Sequence, residues 1–445
     1  MSTAKSNLQN FQILQRNAEG FVDFRYTGKL NRGISEKETI IVRVMRENDN
    51  LTVIPWTEAE VTRGEQDTGW SISLRIPEGG LYRVEATQLS IGGSPEWSPK
   101  IDCKYHIGVG DIYVMTGQSN MTGYGRDNAY DPPTLGVHSF TRAGVWGIAA
   151  HPLCDSIDSP YGYDENGTGT SPALAFARQL SAGLGVPVGL VPAAIGGTSL
   201  AQWDPDENGI CYERMCAMLK DSGAFKGMLW FQGCSDANPN DCDTYLARFT
   251  RIVGIWRKRF GDFPLLTVQL NRWVGNNDGH LDREWGVIRN AQRLAALTIP
   301  DVYVVPALDL SVTDGIHDSS EGNVTIGERL ANTALKCIYG KVGQCAPTVL
   351  SAEKADDTHV RVHITPGYRV CTMDNYGFGM NVEDAEGLIE CTQALPEKDA
   401  LLVTTARPYG ENAVFHYGWR TQQPAFVARD LTGMPLIACY GVEIQ

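Results

Sequence analysis

Four short polar clusters in this 445-residue chain have the residue types that acyl transfer needs. The first is Gln118-Ser119-Asn120, directly after the apolar run "DIYVMTG" at 111–117. The second is "AIGGTSLAQW" at 194–203, with Gly196 and Gly197. The third is "FQGCSD" at 231–236, with Gln232, and the fourth is "SVTDGIHDSS" at 311–320, with Asp314 and His317. A serine hydroxyl attacks a carbonyl only when a neighbouring base takes its proton, and a histidine can be that base near neutral pH. An aspartate three residues before the histidine can reach its other ring nitrogen and fix the tautomer. The developing oxyanion needs donors already in place. Backbone N–H groups of Ser119 and of Gly196 or Gly197, with the Gln232 amide, are of the right type.

The elements around these clusters give them a common address. Apolar runs long enough for one buried strand recur at 111–117, 186–194, 227–233, 264–270 and 302–310. Helical patterns lie between them, among them "SPALAFARQLSAGLG", with Ser171 at the N-cap and Pro172 at the first turn. Strands that are continuously apolar and alternate with helices predict a parallel sheet covered on both faces. Ligands of such sheets bind beyond the carboxyl ends of the strands, and the four clusters fall there.

Residues 1–107 and 341–445 read differently. "ETIIVRVM", "GWSISLRI", "HVRVHITPG" and "ALLVTTARP" alternate with period two between Gly, Pro and Asn punctuation, which predicts β-rich modules flanking an α/β domain at 108–340. The segment 120–170 shows no clear periodicity and is expected to form a wall of the crevice. Tyr124, Arg126 and Trp146 in that segment, with Gln118 and Trp203 outside it, are candidate sugar contacts, with packing roles as the alternative for each aromatic residue.

Composition narrows the partners. The net charge of −14 argues against nucleic acid and anionic membranes, and no apolar run approaches the ~20 residues of a spanning helix. Eleven cysteines include no Cys-x-x-Cys pair, and the eight histidines form no His-Glu-x-x-His, so neither a metal nor another cofactor is expected. The odd cysteine count and the absence of an apolar leader read as a cytoplasmic protein; an exported one with its signal removed is the alternative.

Taken together, "GQSNM", "IGGTSLAQW", "WFQGCSD", "RNAQRLA" and "DGIHDSSEGNVTIGERLA" resemble the sialate O-acetylesterase branch of the SGNH hydrolases. The resemblance implies a three-layer α/β/α domain between N- and C-terminal β-rich modules. It also implies a metal-free serine esterase acting on O-acetylated carbohydrates. On that resemblance Ser119 is the nucleophile, His317 the base, Asp314 its orienter, and Gly196, Gly197 and Gln232 belong to the oxyanion hole. Two positions depart from the pattern. Cys234 stands where the family has glutamate, and Asp318 follows His317 where proline is common. A lipase or thioesterase on the same scaffold, and a carbohydrate-binding protein without activity, are the competing readings.

Overall fold

The computed structural model describes residues 5–275, 279–423 and 426–445. The central sheet contains β1 (Lys100–Gly117), β2 (Val137–Phe140), β3 (Trp146–Ile148), β4 (Val188–Pro192), β5 (Gly227–Phe231), β6 (Leu265–Val268) and β7 (Val302–Val305). Their order is β3-β2-β4-β1-β5-β6-β7, all parallel except the edge strand β3. Every residue of β4, β5 and β6 is buried. Such strands can be apolar on both sides only because helices cover both faces. Those helices include α1 (Ser119–Thr122), α2 (Pro172–Leu184), α3 (Leu200–Trp203), α4 (Ile210–Ser222), α5 (Tyr245–Phe260), α6 (Asp282–Thr298) and α7 (Ser320–Cys337). The expected cap of α2 forms: Ser171 Oγ accepts from Ala173 N at 3.3 Å, with Pro172 next and Gly185 closing the helix at φ +72°.

The segment 120–170 is not the unstructured wall the sequence suggests, because it supplies β2 and β3. Strands of three and four residues are too short to show a period. β2 buries His138 and Ser139, two polar residues that hide its apolar character. Trp146, expected to be a sugar contact, packs in the core against Phe140.

β1 has 18 residues and serves two sheets. Its first half pairs antiparallel with Gly79–Ser90 in the N-terminal module, and its second half pairs parallel with β4 and β5. The anticipated boundary at residue 107 therefore falls inside a strand, and the N-terminal module is fused to the nucleophile strand. A second sheet, built on Phe21–Leu30 and Thr68–Pro77, packs over it around Tyr26, Trp70 and Val84.

The C-terminal module is a seven-stranded antiparallel sheet whose first strand is bridged at Ala352 by Ile444, the residue that follows its last strand. It docks on the α/β domain through groups that sit just past β6 and on α6. Gln269 exchanges two hydrogen bonds with the Ala438 backbone, at 3.0 and 2.9 Å. Arg289, wholly buried, donates to the carbonyls of Gly418 and Arg420.

The join in β1 is held by Asp111, which is 1% exposed. Its carboxylate accepts from Arg16 Nη2 at 2.6 Å, Gln15 Nε2 at 2.8 Å and Tyr339 OH at 2.8 Å. Removing one partner of such a pair leaves buried groups without a counterpart, at a cost of about 3–5 kcal/mol. We predict that Asp111→Ala lowers stability by that amount in denaturant titration. The folded fraction should keep its activity, because Asp111 lies in the body of β1 and Ser119 beyond its end. An unchanged midpoint would show that the join does not depend on Asp111.

Candidate active site

Five of the parallel strands, β1, β4, β5, β6 and β7, direct their following loops to one crevice. At the end of β1 the chain must pass close to β5: a Cβ on Gly117 would lie 2.3 Å from the Phe231 carbonyl oxygen, and Gly117 adopts φ +119°. Only glycine fits there. The chain then turns at Gln118 and places Ser119 at the first position of α1.

Ser119 Oγ lies 3.0 Å from His317 Nε2, and His317 Nδ1 lies 2.8 Å from Asp314 Oδ2. The other Asp314 oxygen accepts from the backbone N–H groups of Ile316 and His317, at 2.8 and 2.9 Å. Burial acts to raise the Asp314 carboxyl, but the His317 contact and the two backbone donors outweigh it and hold the group below the usual carboxylate range. The three side chains expected from the sequence to act together thus form one hydrogen-bonded line.

Asn120 sets this alignment, a role the sequence reading did not give it. Its Oδ1 accepts from Asp318 N at 3.0 Å and its Nδ2 donates to the Ile316 carbonyl at 3.3 Å. The two bonds flank His317, so the nucleophile turn and the histidine loop are tied across 198 residues of sequence. Asn271, past the end of β6, donates a further bond to the Ile316 carbonyl at 2.8 Å. Tyr124 covers the imidazole, with ring centroids 4.8 Å apart and planes 22° from parallel. Its hydroxyl donates to Glu165, which also pairs with the buried Arg142. Asn120 was visible in "GQSNM"; Glu165 and Arg142 carry no local signal, because their positions depend on loop packing.

The glycine cluster lies opposite. Gly197 is exposed at φ +71° and Gly196 is half-buried beside Glu165 and Tyr124. The backbone N–H groups of Ser119, Gly196 and Gly197 donate to no backbone or side-chain group among the described residues.

Three expected site residues are placed elsewhere. Gln232 is wholly buried and does not face the crevice. Its Nε2 donates to the Thr198 carbonyl at 3.1 Å and to Asp236 Oδ2 at 2.5 Å, while its Oε1 accepts from Tyr245 OH. The reason is Asp236, a buried carboxylate that demands donors, and the 3₁₀ turn Cys234–Asp236 that brings it back over the strand end. The same turn ends the extended chain, so Cys234 does not share a strand face with Gln232. Burial pushes the Cys234 thiol up to about 12. Gln118 is also buried, and its Oε1 accepts from the backbone of Gly233 and Ser235 at 3.0 and 3.4 Å, bracing the loop after β5. Trp203 is a core residue, edge-on to Trp230 and donating to Thr198 Oγ1. Arg126 does lie at the rim, exposed, with its guanidinium 5.3 Å from the Tyr124 ring centroid.

These contacts make Gln232 the tether of the glycine loop. We predict that Gln232→Leu destabilises the fold by about 1–3 kcal/mol, because the Thr198 carbonyl loses its side-chain donor and Asp236 is left with only the Leu200 N–H and Arg248. The drop in kcat should accompany a measurable fall in Tm. A large kcat loss with unchanged Tm would instead restore the direct oxyanion role.

Among the described residues, no group of three or more His, Cys, Asp or Glu side chains could hold a metal ion, and no helix is long and apolar enough to cross a membrane. The profile described as carbohydrate esterase, sialic acid-specific acetylesterase, matches residues 109–336. A probable carbohydrate esterase of Arabidopsis thaliana is 28% identical over 248 residues, covering 50% of this chain and 90% of that protein. Human sialate O-acetylesterase is 25% identical over 202 residues, which are 37% of this chain and 38% of the human protein. Among solved structures, a carbohydrate acetylesterase from Xanthomonas citri shares the fold over 98% of this chain and 99% of its own, with TM-score 0.69 and 21% identity. The chain belongs to the sialic acid-specific acetylesterase family of carbohydrate esterases, which are carboxylic ester hydrolases.

Proposed function

We propose that this chain removes O-acetyl groups from carbohydrates by a serine acyl-enzyme mechanism. The observation that carries the reading is the unbroken line Ser119–His317–Asp314, with links of 3.0 and 2.8 Å, at the carboxyl end of the parallel sheet. Two helix groupings, α2 with α7 and α5 with α6, support a three-layer arrangement of that domain.

In the first half-reaction Ser119 Oγ attacks the acetyl carbonyl carbon while His317 Nε2 takes its proton. The carbonyl oxygen becomes an oxyanion and is met by the N–H groups of Ser119 and of Gly196 or Gly197, which donate to no other group among the described residues. Asp314 stays ionised through neutral pH, so it holds the N–H of the imidazole and stabilises the imidazolium that forms. His317 then gives its proton to the departing sugar oxygen. A water molecule repeats the sequence on the acetyl-enzyme, with His317 again as base.

The rim favours a hydrated sugar over a long acyl chain. Asp314 has about half of its side chain exposed, and Arg126 and Gly197 are exposed as well. The odd cysteine count is the ground for placing the chain in a reducing, cytoplasmic compartment.

Ser119→Ala and His317→Ala should each lower acetate release by about a thousandfold or more, with circular dichroism and Tm retained. Asp314→Asn should cost less than either, since the base remains. Wild-type turnover in folded Ser119→Ala would refute the mechanism. On matched sugar esters, kcat/KM should fall at least about tenfold from acetyl to butyryl; a preference for the longer chain would favour a lipase or thioesterase.

A further inference from the structure

Asp318 follows His317 directly and precedes Ser319, whose hydroxyl caps α7. Its side chain is wholly enclosed, and neither carboxyl oxygen meets a donor. Its main chain, by contrast, is fully engaged. The N–H donates to Asn120 Oδ1 at 3.0 Å and the carbonyl accepts from Asn323 Nδ2 at 3.2 Å. A carboxylate held this way would lack the hydrogen bonds that water gives it, with nothing in exchange.

Arg272 and Arg329 act on Asp318 only from a distance, and neither pairs with its carboxyl oxygens. Arg329 is committed to Asp309, at 2.8 and 2.7 Å, and to the Pro306 carbonyl. Asp309 itself adds a like charge nearby. Arg272 donates Nη2 to the Leu310 carbonyl and does not reach ion-pair distance of Asp318; its buried Nε also has no partner. The Cys234 thiol faces Asp318 from the loop after β5 and stays neutral. Asp314 and His317, on the same loop, are turned to each other. The remaining neighbour is the Asn271 amide. Its Nδ2 is given to the Ile316 carbonyl, and its buried Oδ1 has no donor.

A carboxylic acid removes both shortages, because its O–H is the donor that the amide oxygen lacks. We infer that Asp318 is a carboxylic acid in the resting protein, and that its proton fixes the Asn271 amide and so holds the loop that presents His317 to Ser119. The inference rests on the reading of Ser119 and His317 as the reacting pair. Asp318 is then a positioning residue. Burial, with Asp309 adding to it, outweighs the Asn271 amide and the Arg272 and Arg329 charges, which act to lower the Asp318 carboxyl, and pushes it up to about 8, so the acid persists at neutral pH and ionises just above it.

An unfolded aspartate loses its proton near pH ~4. Between there and about pH 8 the folded chain binds one more proton than the unfolded chain. Asp318 therefore lowers stability progressively as pH rises through that window, and its effect levels off above it.

The test uses the full chain and its Asp318→Asn and Asp318→Leu variants. Asp318→Asn, which keeps a donor and cannot ionise, should retain kcat within about threefold at pH 6.5 with little change in KM. Its alkaline limb should shift upward by at least one pH unit from a wild-type limb near 8. Its Tm advantage over wild type should grow between pH 5 and 8. Asp318→Leu, which has no donor, should lose at least tenfold in kcat. A folded Asp318→Asn protein that loses kcat a hundredfold at pH 6.5, or keeps the wild-type limb, would overturn the inference by showing that a carboxylate is required or that Asp318 is silent. If Asp318→Asn does not fold, infrared titration of the wild type decides. A protonated carboxyl band lost with a midpoint near pH 8 supports the acid, and its absence at pH 6.5 refutes it. The Tm and infrared arms need no turnover, so they stand even if the esterase reading fails.

Discussion

The clamp between Asn120 and the backbone on either side of His317 is the constraint on which the site depends. A serine and a histidine 198 residues apart must meet at hydrogen-bond distance, and neither end of that contact can impose the geometry alone. Ser119 is fixed by the sharp exit from β1, where Gly117 lets two strands pass with no Cβ between them. His317 sits on a loop with no regular structure of its own, yet Asn120 holds Ile316 and Asp318 at 3.3 and 3.0 Å. The same turn that presents the nucleophile thus registers the base. Errors of an ångström in such a pairing cost orders of magnitude in rate, so the clamp belongs to the chemistry as much as to the fold.

The surrounding polar residues act mainly through the loops. Gln118 braces the turn after β5, Gln232 and Trp203 tether Thr198 beside Gly197, and Asn271 supports the Ile316 carbonyl. Each is buried, with its donors or acceptors directed at backbone or at a neighbouring buried group. The oxyanion donors are backbone amides held by side chains that do not touch the substrate. Such preorganisation is what makes hydrogen bonds effective at a charge that exists only in the transition state.

Much of this was legible in the sequence. Continuous apolar strands ending in Ser119, Gly196 and the Asp314–His317 loop fixed the parallel sheet and the position of the crevice, because those patterns are local. What was not legible depended on partners distant in sequence. Gln232 and Gln118 carry the residue type of a crevice contact, and only the burial of Asp236 and the course of the 3₁₀ turn at Cys234–Asp236 send their side chains inward. Trp203 is on a four-residue helix whose inner face is set by the Trp230 and Trp256 cluster. β2 escaped notice because four residues, two of them polar, give no period. Asp318, an aspartate in a polar loop, gave no sign that it would be wholly enclosed.

The central claim is that Ser119 carries the acetyl group between the two half-reactions. Rapid acid quench during turnover of an acetylated sugar, followed by peptide mass spectrometry, tests it directly. The account predicts one acetyl group on the peptide containing Ser119 in the wild type, and none in Ser119→Ala. Steady acetate release with Ser119 unmodified throughout would contradict it.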